Sequence, residues 1–183
     1  MASSKVKYGL SNVYYAVKQA NTSQPYVTPV AIPGAVSISM DPQGDMNKFY
    51  ADNGVYWQSS SNLGYEGELE MAKFPSAFLT AVLGMSSGTN GVVAEYDNVQ
   101  PTEFALLFEF SGDADHTRYA LYNCIATRPT ISGNTTNDSI EPDTESLTIS
   151  AVAGSDHIVK GFVEQGGTAY TNWFSNVTKP TGA

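Results

Sequence analysis

Leu63–Gly84 reads LGYEGELEMAKFPSAFLTAVLG, and two periodicities meet inside it. Tyr65, Gly67, Leu69 and Met71 fall on one face of an extended segment, and Glu66, Glu68 and Glu70 fall on the other. That is the period-2 pattern of a half-buried β-strand. Pro75 ends the pattern and suits the first position of a helix, where the N–H it lacks has no partner in any case. Pro75–Leu83 then reads as a helix of about nine residues, ~13 Å long. Gly84 supplies the left-handed stop. Only Ser76 and Thr80 are polar in it. With Phe74, Phe78, Ala81 and Val82 joined by Ala77, Leu79 and Leu83, the helix needs cover on more than one side.

Ala35–Met40 alternates, with Val36, Ile38 and Met40 against Ser37 and Ser39, and reads as a strand. Between it and the opening stretch lies a loose, aromatic segment over about 41–62. It carries Asp45, Lys48, Phe49, Tyr50, Tyr56 and Trp57 around Asp52-Asn53-Gly54. That tripeptide is a tight-turn signal, so a β-hairpin arm is expected. Exposed aromatics on a projecting arm are costly unless a partner covers them. A loop folded back over its own core is the other reading.

The rest of the chain reads as short strands between turn chemistry. A first strand falls near Val13–Val17, with Asn12 as a bend, and Ala20–Gln24 is a polar turn. Pro25, Pro29 and Pro33 mark an extended connector. Met85–Gly91 is a turn cluster. Phe104–Phe110 is a continuous apolar run, hence a strand with little water on either face. The polar loop Ser111–Arg118 leads to Tyr119–Arg128, its hairpin partner. Ile131–Ser139 is an exposed loop, Leu147–Ala153 and Val159–Glu164 are strands, and Tyr170–Val177 is an aromatic closing segment. Short strands in this number with one helix make a mainly β chain. Its 183 residues are expected to form a single domain over 1–183.

Composition excludes several classes of function. Nine basic against 18 acidic residues give a net charge of −9, the opposite of a nucleic-acid binder's basic footprint. No apolar run approaches the ~20 residues needed to span a bilayer. MASSKVKYGL lacks the apolar core of a signal peptide, and Cys124 is the single cysteine, so synthesis in a reducing cytoplasm is expected. His116 and His157 sit in separate polar loops, and Asp113, Asp115 and His116 are explained by loop composition rather than catalysis. Two histidines and one cysteine do not make a structural zinc site. Asp41–Asp52 lacks the ligand spacing of a calcium loop, and Gly84–Gly91 lacks the Gly-Lys-Ser/Thr of a phosphate loop. Asn-x-Ser/Thr at Asn21, Asn134, Asn137 and Asn176 carries no weight without a secretory signal. No enzyme, cofactor or metal is expected.

Glu66, Glu68 and Glu70 are more informative. Alternate strand residues lie ~7 Å apart, where like charges repel by roughly 0.6 kcal/mol in water and several-fold more in a medium of dielectric near 20. Three unpaired glutamates therefore stay wet. They form either an ordinary solvated sheet face or the lining of an aqueous passage.

Six stretches in order now carry a resemblance: KYGLSNVYYA, NKFYADNGVYW, GYEGELEMAKFPSAFLTAVLG, FALLFEFSGD followed by RYALYNCIATRP, EPDTESLTISA and YTNWFSNV. Together they resemble the major tail, or tail tube, proteins of long-tailed non-contractile bacteriophages, over essentially the whole chain. The resemblance implies an antiparallel β-sandwich or partial barrel with one flanking helix and a long hairpin arm. It implies homohexameric rings, closed by an inner β-barrel and stacked into a tail tube around a tape-measure protein. Tail terminator and distal tail proteins would cap the tube, and genomic double-stranded DNA would pass through it without specific binding. Such a protein resides in the virion tail and is made in the host cytoplasm. The arm Asp45–Trp57 and both chain ends are the interface elements implied.

In that setting Glu66, Glu68 and Glu70 are expected to face the lumen, roughly eighteen carboxylates per sixfold ring. Phe74, Phe78, Ala81 and Val82 are expected to pack the helix. The rival class is a monomeric carbohydrate-binding β-sandwich stacking sugars on Tyr50, Tyr56 and Trp57.

Overall fold

In the computed structural model, residues 6–20, 24–135 and 142–181 are described. Parts of the expected turn at 20–24 and loop at 131–139 lie outside them, as do Asn21 and Asn137. The strands in chain order are β1 (Leu10–Val17), β2 (Val30–Ala31), β3 (Ala35–Gln43), β4 (Met46–Ala51), β5 (Gly54–Ser60) and β6 (Gly64–Met71). The helix α1 (Ser76–Val82) follows, then β7 (Ser86–Ser87), β8 (Val93–Ala94), β9 (Phe104–Phe110), β10 (Arg118–Ala126), β11 (Glu145–Ala151) and β12 (Lys160–Val163).

The fold is mainly β with one short helix, its strands antiparallel and not closed into a barrel. The main sheet runs β2-β1-β9-β10-β11-β6-β3, and β12 also pairs with β10. β10 serves two partners in succession: Arg118–Leu121 pair with β12, and Cys124–Ala126 pair with β11. The changeover falls at Asn123, which has φ +49 and sits where the register with β9 shifts. Asn12, with φ +50, marks the same kind of bulge in β1. Asparagine tolerates this left-handed conformation, which bends and twists the strand. The sheet thereby curls until β1 approaches β3 without hydrogen-bonding to it.

Phe104–Phe110 is buried on both faces, as its unbroken apolar run predicts. Phe104, Leu106 and Phe108 enter the core enclosed by the curl, with Leu69, Met71, Leu147, Ile149 and the helix. Ala105 and Leu107 enter a second cluster with Tyr122, Tyr26, Trp173 and Val177. Two layers therefore cover the central strands, the helix on one side and the C-terminal segment on the other.

The helix is shorter than the sequence suggests. Pro75 has φ −62 and ψ 144, so it precedes the helix as its cap rather than opening it. Its carbonyl accepts the first bonds, from the N–H of Phe78 at 2.9 Å and of Leu79 at 3.2 Å. Gly84 stops the helix at φ +71, and a Cβ there would lie 2.4 Å from the Val99 side chain. Phe74, Phe78 and Val82 are buried, Ala81 is half-buried, and Ser76 and Ala77 face outward. Phe78 meets Tyr15, Phe74 and Phe104 at ring separations of 5.1, 5.4 and 6.0 Å. Leu79 and Ala81 pack half-buried against the same core, so Ser76 and Ala77 are the helix positions left open to solvent.

Other differences are local. Val36 is exposed because the β3–β6 register slips between Ala35 and Ser37, leaving it unpaired. Ser86–Ser87, inside the expected turn cluster, pair with Val93–Ala94 just beyond it. The aromatic closing segment is a run of turns. It is fastened by Trp173 Nε1 donating to the Tyr119 carbonyl at 3.3 Å, and by Phe174 stacking on Tyr14 at 4.9 Å. Tyr122 donates its hydroxyl to the Thr178 carbonyl at 2.6 Å. Burial pushes the Tyr122 pKa up to about 12, so the hydroxyl keeps its proton across the working range. Tyr122→Phe is expected to lower the unfolding free energy by ~1 kcal/mol, read as a smaller urea midpoint with unchanged slope.

Candidate functional site

Two features of a single long hairpin stand out. Its base, β3 with β6, is part of the main sheet, and its outer half, β4 with β5, leaves the body.

At the base, the alternation in β6 sends Leu69 and Met71 into the core and Glu66, Glu68 and Glu70 to the opposite face. Directly paired residues share a face. Glu66 therefore lies between Asp41 of β3 and Ser150 of β11, Glu68 between Ser39 and Thr148, and Glu70 between Ser37 and Ser146. The three rows contain only acids and hydroxyls. Gly67, facing the other way, lets β3 come close: a Cβ there would lie 1.8 Å from the Ser39 carbonyl oxygen. The hydroxyls supply donors that water otherwise must. Ser37 donates to Glu70 at 2.7 Å and Thr144 at 2.5 Å, and these bonds, Thr144's foremost, hold the Glu70 carboxyl below its ordinary pKa of 4.5.

A carboxylate with a depressed folded-state pKa contributes stability above the unfolded value and loses it as the pH falls through the folded one. Glu70→Gln is therefore expected to lower the melting temperature slightly at neutral pH, with the gap to the parent closing as the pH falls below 4.5, so that the variant's acid limb is flatter. Calorimetry on both proteins across that range checks it. Parallel acid limbs would refute it.

In the outer half, Met46 pairs with Ser60 and Phe49 with Trp57 before the register slips at Tyr56. Asp52 and Asn53 have φ +50 and +63, the two positive values of a type I′ turn. Gln43 still belongs to the main sheet, so the free ribbon covers Met46–Ser60 rather than the whole of 41–62. A clasp closes its root: Asp45 N–H donates to Ser61 Oγ at 2.9 Å, and Ser61 N–H to the Asp45 carbonyl at 2.9 Å. Asp45 and Lys48 are exposed, and so are the ribbon's large apolar side chains. Phe49 is 59 % exposed, Tyr50 64 %, Tyr56 73 % and Trp57 56 %, so the arm does not fold back on its own core. Phe49 and Tyr56 meet edge to face at 82°, while Tyr50 follows Phe49 and faces the other way.

The Asp113 carboxylate accepts from the N–H of Asp115 and of Thr117, each at 3.1 Å, and the Thr117 hydroxyl foremost, with these bonds, holds its pKa down. His116 and His157 occupy separate left-handed turn positions, at φ +48 and +59. Burial pushes the Cys124 thiol up to about 12, far from a reactive thiolate. Among the described residues no group of three or more His, Cys, Asp or Glu is placed to hold a metal ion, and no helix is long and apolar enough to cross a membrane.

The hydroxyl partners of the glutamates escaped the sequence reading. The signal lay in the alternations Ser37/Ser39 and Ser146/Thr148/Ser150, whose alignment with Glu66–Glu70 needed the strand order.

No protein family description and no curated protein sequence matches the chain. Solved structures are similar to it in fold. The sheath/tube terminator of an extracellular contractile injection system, PVC, in its extended state is 13% identical with a TM-score of 0.48, covering 83% of this chain and 93% of that one. The tube-terminating cap of the anti-feeding prophage is 13% identical with a TM-score of 0.48, covering 87% and 93%. A chain of the sixfold-symmetrised anti-feeding prophage baseplate is 11% identical with a TM-score of 0.49, covering 89% and 97%.

Proposed function

We propose that this chain is a self-assembling tail tube protein of a long-tailed bacteriophage or a prophage relative. In this reading six copies form a ring, and rings stack into the conduit that delivers genomic DNA. The observation that carries the proposal is the hairpin β3–β6. It presents a cation-free face of acids and hydroxyls at its base and an unpaired aromatic ribbon at its tip. An acidic face suits a duct wall that must not grip phosphates, because like charges keep the duplex off it. An exposed aromatic ribbon suits a chain whose partner is another copy. The sequence resemblance described above supplies the particular assembly. Tape-measure, terminator and distal tail proteins are its expected partners, and the virion tail its place. The whole described chain acts as one building block.

Negative-stain microscopy of the concentrated purified protein tests this. Hollow rings or tubes are expected. A persistent monomer at all concentrations overturns it, and one that also binds glycan establishes the carbohydrate-binding module instead.

A further inference from the structure

At the mouth of the curled sheet, Tyr65, Phe108, Phe110 and Tyr119 line an open cavity of about 160 Å³, with Lys7 and Lys160 at its rim. Lys7 Nζ stands 5.0 Å from the Phe110 ring centre, and Lys160 Nζ stands 4.7 Å from that of Tyr65. Lys160 also donates to the Tyr65 hydroxyl at 2.8 Å, which leaves its other ammonium protons for a further acceptor. Among the described residues the salt bridges take up Lys18, Arg118, Arg128 and Lys179, and neither rim lysine has a carboxylate partner. In a chain with twice as many acids as bases, two unpaired lysines over an aromatic cavity form a site for an apolar group that carries a carboxylate.

The arm tip has that chemistry: Asp52 at the turn, flanked by Tyr50, Val55 and Tyr56, all three more than half exposed. It cannot reach its own cavity. Met40 lines that mouth, and the extended chain from Met40 to Asp52 leads ~40 Å away along a paired ribbon whose large apolar side chains are exposed. Building on the self-assembly reading, we infer that the arm tip of one copy docks at the cavity of another, with Asp52 between Lys7 and Lys160. Tip and cavity are different surfaces, so the contact is head to tail. It closes into a ring or propagates along a tube according to its rotation.

Carbodiimide coupling of the assembled full-length protein, prepared from isotopically light and heavy chains, tests the contact without any substitution. Asp52 joined to Lys7 or Lys160 in mixed-isotope pairs is the expected product. Asp52 coupled only to other lysines, or left uncoupled, overturns the site. In parallel, the double variant Lys7→Glu with Lys160→Glu is expected to raise the concentration for half-assembly at least tenfold while still unfolding in one cooperative transition. Assembly indistinguishable from the parent overturns the inference while leaving the tube reading intact. A parent chain that never assembles overturns both.

Discussion

Excising Met46–Ser60 and bridging Asp45 to Ser61 with a short glycine turn is expected to give a folded protein that no longer polymerises. The clasp between Asp45 and Ser61 makes this the natural cut. Cutting only from Asp45 to Gly54 would strand β5 without its partner. The ribbon's large side chains are exposed in the single chain and lend nothing to either core cluster. Surface changes of this kind fall within about 0.5 kcal/mol, a shift of no more than ~2 °C at this length. Assembly is different. Burying even three of these aromatic side chains against a neighbour is worth roughly 5–9 kcal/mol before the costs of association. Each ~1.4 kcal/mol that survives is a tenfold change in the association constant. Sedimentation velocity should therefore show a monomer where the parent forms tubes, with coincident melting curves. Tubes of normal length from the excised chain would sink the arm's role.

Much of the architecture was readable along the chain. FALLFEF declared a doubly covered strand, GYEGELEM declared a half-buried one, and Asp52-Asn53-Gly54 declared the arm's turn. Each of these signals is local: burial period, strand propensity and turn conformation are set by a few neighbouring residues. Signals that depend on a distant partner were hidden. Val36 looked like a core position until the β3–β6 register left it out of the ladder. Trp173 and Phe174 read only as part of an aromatic closing segment, and their places are fixed by the Tyr119 carbonyl and the Tyr14 ring. Pro75 was misplaced by one position because its φ suits both a cap and a first helical residue, and only ψ separates them. Among the candidate site residues, the direction of the three glutamates followed from alternation alone. The hydroxyls beside them, and the lysine-rimmed cavity, needed the curl of the sheet.

That alternation supports the second large effect. Reversing Glu66 and Glu68 to lysine leaves Glu70 in its bonds to Ser37 and Thr144 and moves the net charge from −9 to −5. Both side chains are exposed and lie on the face away from the core, so folding and stacking should survive the change. In a sixfold ring, roughly twelve carboxylates would become roughly twelve ammonium groups facing the bore. The parent tube should exclude small anionic gold clusters from its lumen, and the variant should fill with them, as seen by cryo-electron microscopy. Binding of double-stranded DNA fragments should rise from undetectable and fall steeply with salt, with a slope of about −0.9 per phosphate neutralised. A lysine-lined duct would therefore retain DNA that an acidic one releases, and delivery would stall though the tails look normal. The position of the gold separates the outcomes: clusters along the outer wall of variant tubes would place Glu66 and Glu68 outside, leaving the acidic face no part in conduction.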